Sequence, residues 1–316
     1  MAERAGQPPR ASVLAVTLNW RQAAMTLKCV RALEAMTTAA ALDILVIDNG
    51  SGDGSAETLR RDLPSGVELL ALPENLGFGR GNNVGLRRAL NGGYDYALLI
   101  NNDAFAARDM LDRLLAAADP TVALISPKIY YEARPDTLWF AGGRRRRRTL
   151  DIAGTGRGEK DGPDWGADRD VDYLLGTCLL VNLAAAAAVG LFDERYFMYF
   201  EDLEWSLRLQ QAGYRLRLAA DAHLYHRVAA SSGGLESPFR RYHLARSGAI
   251  FWRTHQRAGS PPAIFVFRAG SALKMLSRLI ITGQFAVAAA YGRGLRDGLR
   301  ESTGTSRLPG GRHEEA

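Results

Sequence analysis

The chain is predicted to fold as an α/β protein around a doubly wound, mostly parallel sheet, with amphipathic helices at its C-terminal end. Three observations carry that expectation. Short apolar, partly β-branched runs alternate with helix-patterned segments from Ser12 to Asp103, the order of a parallel sheet wound by crossover helices. These runs end in Asn, Asp or Gly, and open α/β sheets bind ligands at such strand ends. Beyond Pro261-Pro262, apolar residues are interleaved with Arg268, Lys274 and Arg278, the pattern of amphipathic helices.

Residues 12–18 read as a buried strand ended by Asn19 and Trp20. Residues 21–36 form a helix with Met25, Cys29, Leu33 and Met36 on one face. Residues 43–47 are a second strand and run into a Gly/Asp/Ser loop, 48–55. A helix at 55–63 and a third strand at 67–72 follow. Residues 75–85 read as a glycine-rich turn that feeds a helix over 84–90. Residues 96–100 are the next strand, closed by Asn101, Asn102 and Asp103. Right-handed crossovers put every strand's carboxyl end on one edge. Asn19, Asp48, the 75–85 turn and Asp103 are therefore expected to meet there.

The second half is less regular. A helix is expected at 110–118, strands at 124–131 and 137–142, and a mobile polar loop at 143–170. A buried strand at 171–181, a short helix at 183–190 capped by Asn182 and ended by Gly190, and an acidic helix stopped by Gly213 follow. A short strand at 214–219, a polar loop at 223–232 and a basic helix at 238–257 complete this half, and Pro261-Pro262 breaks the chain. Residues 263–300 read as one or two amphipathic helices and 301–316 as a disordered tail.

With 316 residues and 47% hydrophobic residues, a sizeable core can be buried. A formal charge of +6 favours anionic partners such as a nucleotide or a membrane surface. Nucleic acid is not expected, because no binding motif accompanies the five arginines at 144–148 and no aromatics interleave them. The purely structural alternative for that run is a solvated loop. Cys29 and Cys178 lie in apolar contexts and read as buried thiols in a reducing compartment. Residues 1–10 are polar and do not read as a secretory signal. Residues 173–192 are uncharged over the length of a spanning helix of about 20 residues, but Gly176, Thr177, Asn182 and Gly190 divide them.

The stretch that organises the rest is 193–213. An aromatic run from Tyr196 to Phe200 delivers two adjacent carboxylates, Glu201 and Asp202, to a helix start. Acids there are favoured by the helix dipole alone. An apolar wall would also raise a carboxylate's pKa and fit it for proton abstraction. Asp48 can serve turn chemistry, or accept from a nucleobase or ribose as acids do at this place in dinucleotide folds. The 75–85 turn lacks the Gly-Lys-Ser/Thr of a phosphate-binding P-loop. Asn101-Asn102-Asp103 offers hard oxygen donors for a divalent cation on a nucleotide's phosphates. His226 is a candidate further ligand, against the ordinary fate of a lone histidine as a structural residue.

Taken in order, these pieces resemble the family 2 glycosyltransferases of GT-A fold, closest to bacterial rhamnosyltransferase-like members that build cell-surface polysaccharide. The resemblance runs from about residue 12 to 255. It rests on Thr17-Leu18-Asn19, Asp48-Asn49-Gly50-Ser51, Asn75-Leu76-Gly77-Phe78-Gly79 with Asn82-Asn83-Val84-Gly85, Leu98-Leu99-Ile100-Asn101-Asn102-Asp103, Gly176-Thr177-Cys178, Phe192-Asp193-Glu194 with Glu201-Asp202, His226 and Arg246-Ser247.

The resemblance implies that Thr17, Asn19 and Asp48 hold the nucleobase and ribose of a nucleotide-sugar. It further implies that Gly77 and Asn83 shape the wall of that pocket, with Asn102 beside the donor. Asp103 and His226 would bind Mg²⁺ or Mn²⁺, Asp202 would be the general base, and Glu201 would orient the acceptor. The metal motif carries one carboxylate where many relatives have two, and Ser247 stands where relatives often have Asn. The Gln-x-x-Arg-Trp of processive synthases is absent, so one sugar is expected per acceptor.

The expected activity is thus an inverting, metal-dependent transfer of L-rhamnose from dTDP-rhamnose to a lipid-linked or polysaccharide acceptor in cell-wall glycan synthesis. A UDP-hexose-dependent transferase stands next, then a non-catalytic sugar- or lipid-binding relative. A nucleotidyltransferase is disfavoured, lacking the N-terminal Gly-rich basic loop. The expected organisation is a flexible start (1–11), a GT-A domain (12–258) with a donor half (12–103) and an acceptor half (104–258), and an amphipathic segment (259–300). That segment would hold the protein on the inner face of the plasma membrane, or pair two copies as a homodimer.

Overall fold

A computed structural model describes residues 10–228 and 237–301. The expected flexible start up to residue 9, the loop at 229–232 and the tail at 302–316 lie outside the described residues.

The first half runs β1 (Ser12–Asn19), α1 (Ala23–Glu34), β2 (Ala41–Asp48), α2 (Ser55–Asp62), β3 (Glu68–Ala71), α3 (Phe78–Asn91), β4 (Tyr96–Asn101) and β5 (Ala104–Ala106). It continues through α4 (Met110–Ala116), β6 (Val122–Tyr131), β7 (Arg134–Phe140), β8 (Gly143–Arg145), β9 (Ile152–Gly154), β10 (Arg169–Asp170), β11 (Cys178–Asn182) and α5 (Leu183–Val189). Then come α6 (Glu201–Gln211), β12 (Arg215–His226), α7 (Pro238–His255), α8 (Pro261–Ile281) and α9 (Phe285–Arg300).

The main sheet has the order β10-β12-β6-β11-β4-β1-β2-β3. β4, β1, β2 and β3 are parallel, as the crossover argument requires. β11 is antiparallel to both β4 and β6, and β12 runs parallel to β6. The β1–β2 register sets Asn19 opposite Asp48. Alternation along β1 sends Val13 and Ala15 to one core, with Cys29, Leu33 and Leu98. Leu14 and Val16 go to the other, with Leu86, Leu99 and Trp205. A third cluster joins α6, α7 and α8 through Leu203, Leu207, Phe251 and Ile264.

Five sequence expectations are corrected. The glycine run at 78–85 is the opening of α3, not a turn before it. Glycine disfavours helix locally, but a Cβ on Gly85 would lie 2.4 Å from Val16 Cγ1, so only glycine lets this helix lie on β1. The strand expected at 171–181 is confined to Cys178–Asn182, and residues 171–177 instead reach across to α6. Residues 143–170 are not one loop. β8 and β9 form a hairpin there, a 3-10 turn spans Pro163–Trp165, and β10 joins the main sheet. β12 extends to His226 past an irregularity between Ala219 and His223, so His223 lies in a strand. The helices do part before Pro261 as expected, but α8 starts at Pro261 itself rather than at 263, proline being compatible with a first helical turn.

Candidate active site

The strand ends of β1 and β2 are tied by side chains. Asn19 Nδ2 donates to Asp48 Oδ1 at 2.6 Å, and Ser51 Oγ donates to the same oxygen at 2.5 Å. Thr26 Oγ1 donates to Asn19 Oδ1 at 2.8 Å and accepts from Asn102 Nδ2 at 3.0 Å. One chain of hydrogen bonds therefore links Asn102, Asn19 and Asp48 across the ends of β4, β1 and β2. Next to it lies a cleft of about 500 Å³ lined by Asp48, Gly50, Ser51, Leu72 and Pro73 among others. Gly50 has φ +65°, and a Cβ there would meet the Glu74 backbone at 2.2 Å. Thr17 is set apart from this edge. Its side chain is fully buried beneath, beside the Cys29 thiol, which burial pushes up to about 12.

The 75–79 turn is stapled on both sides. Asn49 Nδ2 donates to Asn75 Oδ1 and to the Gly77 carbonyl, while its Oδ1 accepts from Leu76 N. Phe78 N donates to the Phe197 carbonyl at 2.8 Å. Gly77 has φ +79°, and a Cβ would lie 2.2 Å from that carbonyl oxygen. Asn83 grips the Phe192 backbone with both ends of its amide, at 2.9 and 3.0 Å. Asn83 and Gly77 thus hold the aromatic run against α3.

Tyr199 and Phe200 adopt φ +66° and +70° immediately before α6, a region costly for bulky residues and sustained only by surrounding contacts. Those contacts come from α7. Ser247 Oγ donates to the Met198 carbonyl at 2.9 Å, Arg246 donates to the Arg195 carbonyl at 2.8 Å, and Gly248 packs on the Phe200 ring.

The bend delivers Glu201 and Asp202, both buried. Asp202 Oδ2 accepts from Tyr173 OH at 2.8 Å and from Gly176 N at 3.0 Å. Its Oδ1 accepts from Leu203 N at 2.8 Å. Burial raises the Asp202 pKa against these three donors, whereas burial and the neighbouring Asp202 charge drive Glu201 well above its ordinary value. Among the described residues Glu201 Oε2 is buried without a partner. Both carboxyls are thus pushed toward the protonated form by burial, Asp202 against the pull of its three donors and Glu201 with no side-chain donor to oppose it.

Asp103 and His226 are brought together from β4's end and β12's end, with Asp103 Oδ1 and His226 Nε2 at 3.1 Å. Trp139 packs on the imidazole, ring centres 4.5 Å apart. Among the described residues no group of three or more His, Cys, Asp and Glu is arranged for a metal. The two centres lie on neighbouring strand ends. Asn101 N donates to Thr177 O at 2.9 Å, next to the Gly176 amide that holds Asp202. Sequence reasoning assigned no role to Thr26, Ser51, Tyr173 or Gly176. Ser51 was findable, three residues after Asp48 in a turn; Tyr173 carries no local signal.

A nucleotide-sized cleft at the ends of parallel strands, with a buried carboxylate pair on the same sheet edge, is compatible with the GT-A fold. Comparison with known proteins agrees. The glycosyl transferase family 2 sequence model matches residues 12–167. An N-acetylglucosaminyl-diphospho-decaprenol L-rhamnosyltransferase of Mycobacterium tuberculosis is 31% identical over 222 residues, 63% of this chain and 70% of the relative. A dTDP-rhamnosyl transferase of Shigella flexneri is 23% identical over 220 residues, 66% and 70%. Among solved structures, a Pyrobaculum calidifontis mannosyltransferase in complex with GDP-Man and Mn²⁺ superposes with TM-score 0.56 at 18% identity, covering 92% of this chain and 88% of that one. GalNAc-T7 with UDP, GalNAc and Mn²⁺ gives TM-score 0.59 at 13% identity over 80% of this chain, which spans 52% of that structure. The chain belongs to glycosyl transferase family 2, and its enzyme class is that of a rhamnosyltransferase-like glycosyltransferase.

Proposed function

We propose that the protein moves one sugar, L-rhamnose from dTDP-rhamnose, to a hydroxyl of a lipid-linked or glycan acceptor, with inversion. The observation that carries the reading is the Asp202 carboxylate, buried at the start of α6 and held there by three donors, on the same edge of the sheet as the cleft lined by Asp48. Asp48 and Asn19 bind the nucleoside, with Asn102 supporting that edge through Thr26 and Gly77 and Asn83 fixing its wall. Asp202 takes the acceptor's hydroxyl proton. The acceptor oxygen bonds to the anomeric carbon from the face opposite the nucleoside diphosphate, whose bond to that carbon breaks. Glu201, protonated, offers a hydrogen-bond donor to the acceptor.

Asp103 and His226 fit a divalent cation. The two side chains face each other as a hydrogen-bonded pair at 3.1 Å, a carboxylate and an imidazole of the kinds that would hold such an ion. Bound there, Mg²⁺ or Mn²⁺ supplies Lewis-acid stabilisation of charge on the departing diphosphate. The Mn²⁺ in both structural neighbours supports this. The decaprenol-linked acceptor in the mycobacterial relative's name supports a lipid-linked acceptor, and in this reading the protein works at the cytoplasmic face of the plasma membrane, held there peripherally. Among the described residues no helix is long and apolar enough to cross a membrane.

The test is a thermal-shift panel of dTDP-rhamnose, UDP-glucose, UDP-galactose and GDP-mannose, with and without Mn²⁺, followed by assay of free sugar. A ligand at 100-fold over Kd stabilises by about 2.7 kcal/mol. A metal-dependent shift with dTDP-rhamnose and slow rhamnose release is expected. A shift with a UDP-sugar alone would replace the donor. A shift without sugar release would favour the non-catalytic reading, which the single carboxylate of Asn101-Asn102-Asp103 keeps in play.

A further inference from the structure

β8 and β9 turn the arginine run into a hairpin whose tip is fixed to the start of α8. Ser260 N donates to the Arg148 carbonyl at 3.0 Å, and Arg268 pairs with Asp151 at 2.9 Å. Asp151 is the only carboxylate between 143 and 154, so that pair consumes it. Arg144, Arg146, Arg147 and Arg148 are exposed, and among the described residues none of them enters an ion pair.

α8 itself is inverted relative to an ordinary surface helix. Ile264 and Leu279 face inward, while Phe265 is 73%, Leu273 68% and Ile280 53% exposed. An outward apolar stripe of this kind marks an interaction surface.

We infer that the arginine hairpin and the outer face of α8 form one docking surface for an anionic lipid bilayer. The arginines engage headgroups while Phe265, Val266, Leu273 and Ile280 enter the acyl boundary. The inference rests on the lipid-linked-acceptor reading above and assigns the residues that meet the lipid. Charge chooses the occupant. α8 carries Arg268, Lys274 and Arg278 and no Asp or Glu, and the hairpin adds the exposed Arg144, Arg146, Arg147 and Arg148. A two-fold contact with a second copy would set this patch on itself, and like charges across an interface are unfavourable. An anionic leaflet complements it.

The hairpin also leads to the site. Gly143 N donates to the Tyr173 carbonyl at 3.0 Å, and the Tyr173 hydroxyl holds Asp202. Docking through the hairpin would bring the base's own support loop close to the leaflet that carries the acceptor.

The experiment is co-sedimentation of the full chain with vesicles of phosphatidylglycerol and phosphatidylcholine, against phosphatidylcholine alone, with hydrolysis of dTDP-rhamnose measured in parallel. Combining Arg146→Gln, Arg147→Gln and Arg148→Gln should lower partitioning on the order of 100-fold and leave donor hydrolysis unchanged. Leu273→Glu, on the solvent side, should also lower partitioning and keeps the test open if the triple variant fails to fold. Partitioning of the triple variant equal to wild type overturns the hairpin's role while the peripheral-membrane reading stands. Wild-type binding with no preference for phosphatidylglycerol overturns the inference outright. A dimer in sedimentation velocity that Leu273→Glu dissociates, without vesicle binding, assigns the face to a second copy. Absent donor hydrolysis in wild type is a separate failure, of the transfer reading alone.

Discussion

At the scale of single residues the proposed chemistry turns on the Glu201–Asp202 pair. Three hydrogen-bond donors fix the Asp202 carboxylate, while among the described residues Glu201 keeps a buried oxygen without a partner. In the proposed mechanism Asp202→Asn removes a positioned base, worth about 10²–10⁴ in rate. Turnover should fall by that order with donor affinity unchanged in the thermal-shift assay. Turnover near wild type would remove Asp202 from the role. Glu201 makes a second prediction through linkage. Its pKa is raised by burial and by Asp202, so the native state keeps a proton that the unfolded chain releases above about 4.5. The stability that proton brings is complete at low pH and is lost as pH rises through the native pKa. A tenfold difference in proton affinity between the two states corresponds to about 1.4 kcal/mol. Glu201→Gln mimics the protonated form. Its melting temperature should match wild type near pH 4 and exceed it by roughly several degrees at pH 8; equal curves at both pH values would mean Glu201 titrates normally.

At the scale of elements, what was legible was what is encoded locally. β1, β2 and β4 show as apolar runs, α1 as a periodic face, and α5 by Asn182 and Gly190, whose capping roles the structure keeps. The meeting of Asn19 with Asp48 followed from crossover handedness, without any motif. The start of α3, the 171–177 loop and the far end of β12 were not legible, because contacts distant in sequence decide them. Gly85 on Val16, Tyr173 on Asp202 and His226 on Asp103 are such contacts. Of the site, the acidic and Asx residues could be named, but not the Tyr173 and Gly176 donors. Gly77 shows how far an element depends on such a contact. At φ +79°, with a Cβ that would strike the Phe197 carbonyl, Gly77→Ala must displace the aromatic run. Strain of about 1–3 kcal/mol is expected. Denaturant midpoints should fall accordingly, and sugar transfer should fall further, since the run aims Asp202. A midpoint drop with full activity would show that the run's position does not matter to the chemistry.

At the scale of the whole molecule, the C-terminal helices divide into two kinds of surface. α8 turns apolar residues outward, whereas α9 is packed into the fold. A Cβ on Gly294 would lie 2.3 Å from the Tyr242 carbonyl, and one on Gly298 the same distance from that of Arg246. Arg246 reaches both ways, donating to Glu301 at 2.6 Å and to the Arg195 carbonyl at 2.8 Å. The end of α9 is thereby connected through α7 to the strained bend before Glu201. An amphipathic appendage would not behave so. Gly298→Leu should force α9 from α7, lowering the melting temperature by about 2–4 °C for each kcal/mol lost, and should reduce sugar transfer as the bend relaxes. Leu273→Glu, on the outward face of α8, should change neither when the acceptor is supplied in detergent. Melting curves and transfer rates of the two variants side by side separate the cases. If Gly298→Leu leaves both unchanged, α9 does not brace the site. If Leu273→Glu lowers both, the outer face of α8 belongs to the fold and not to a docking surface.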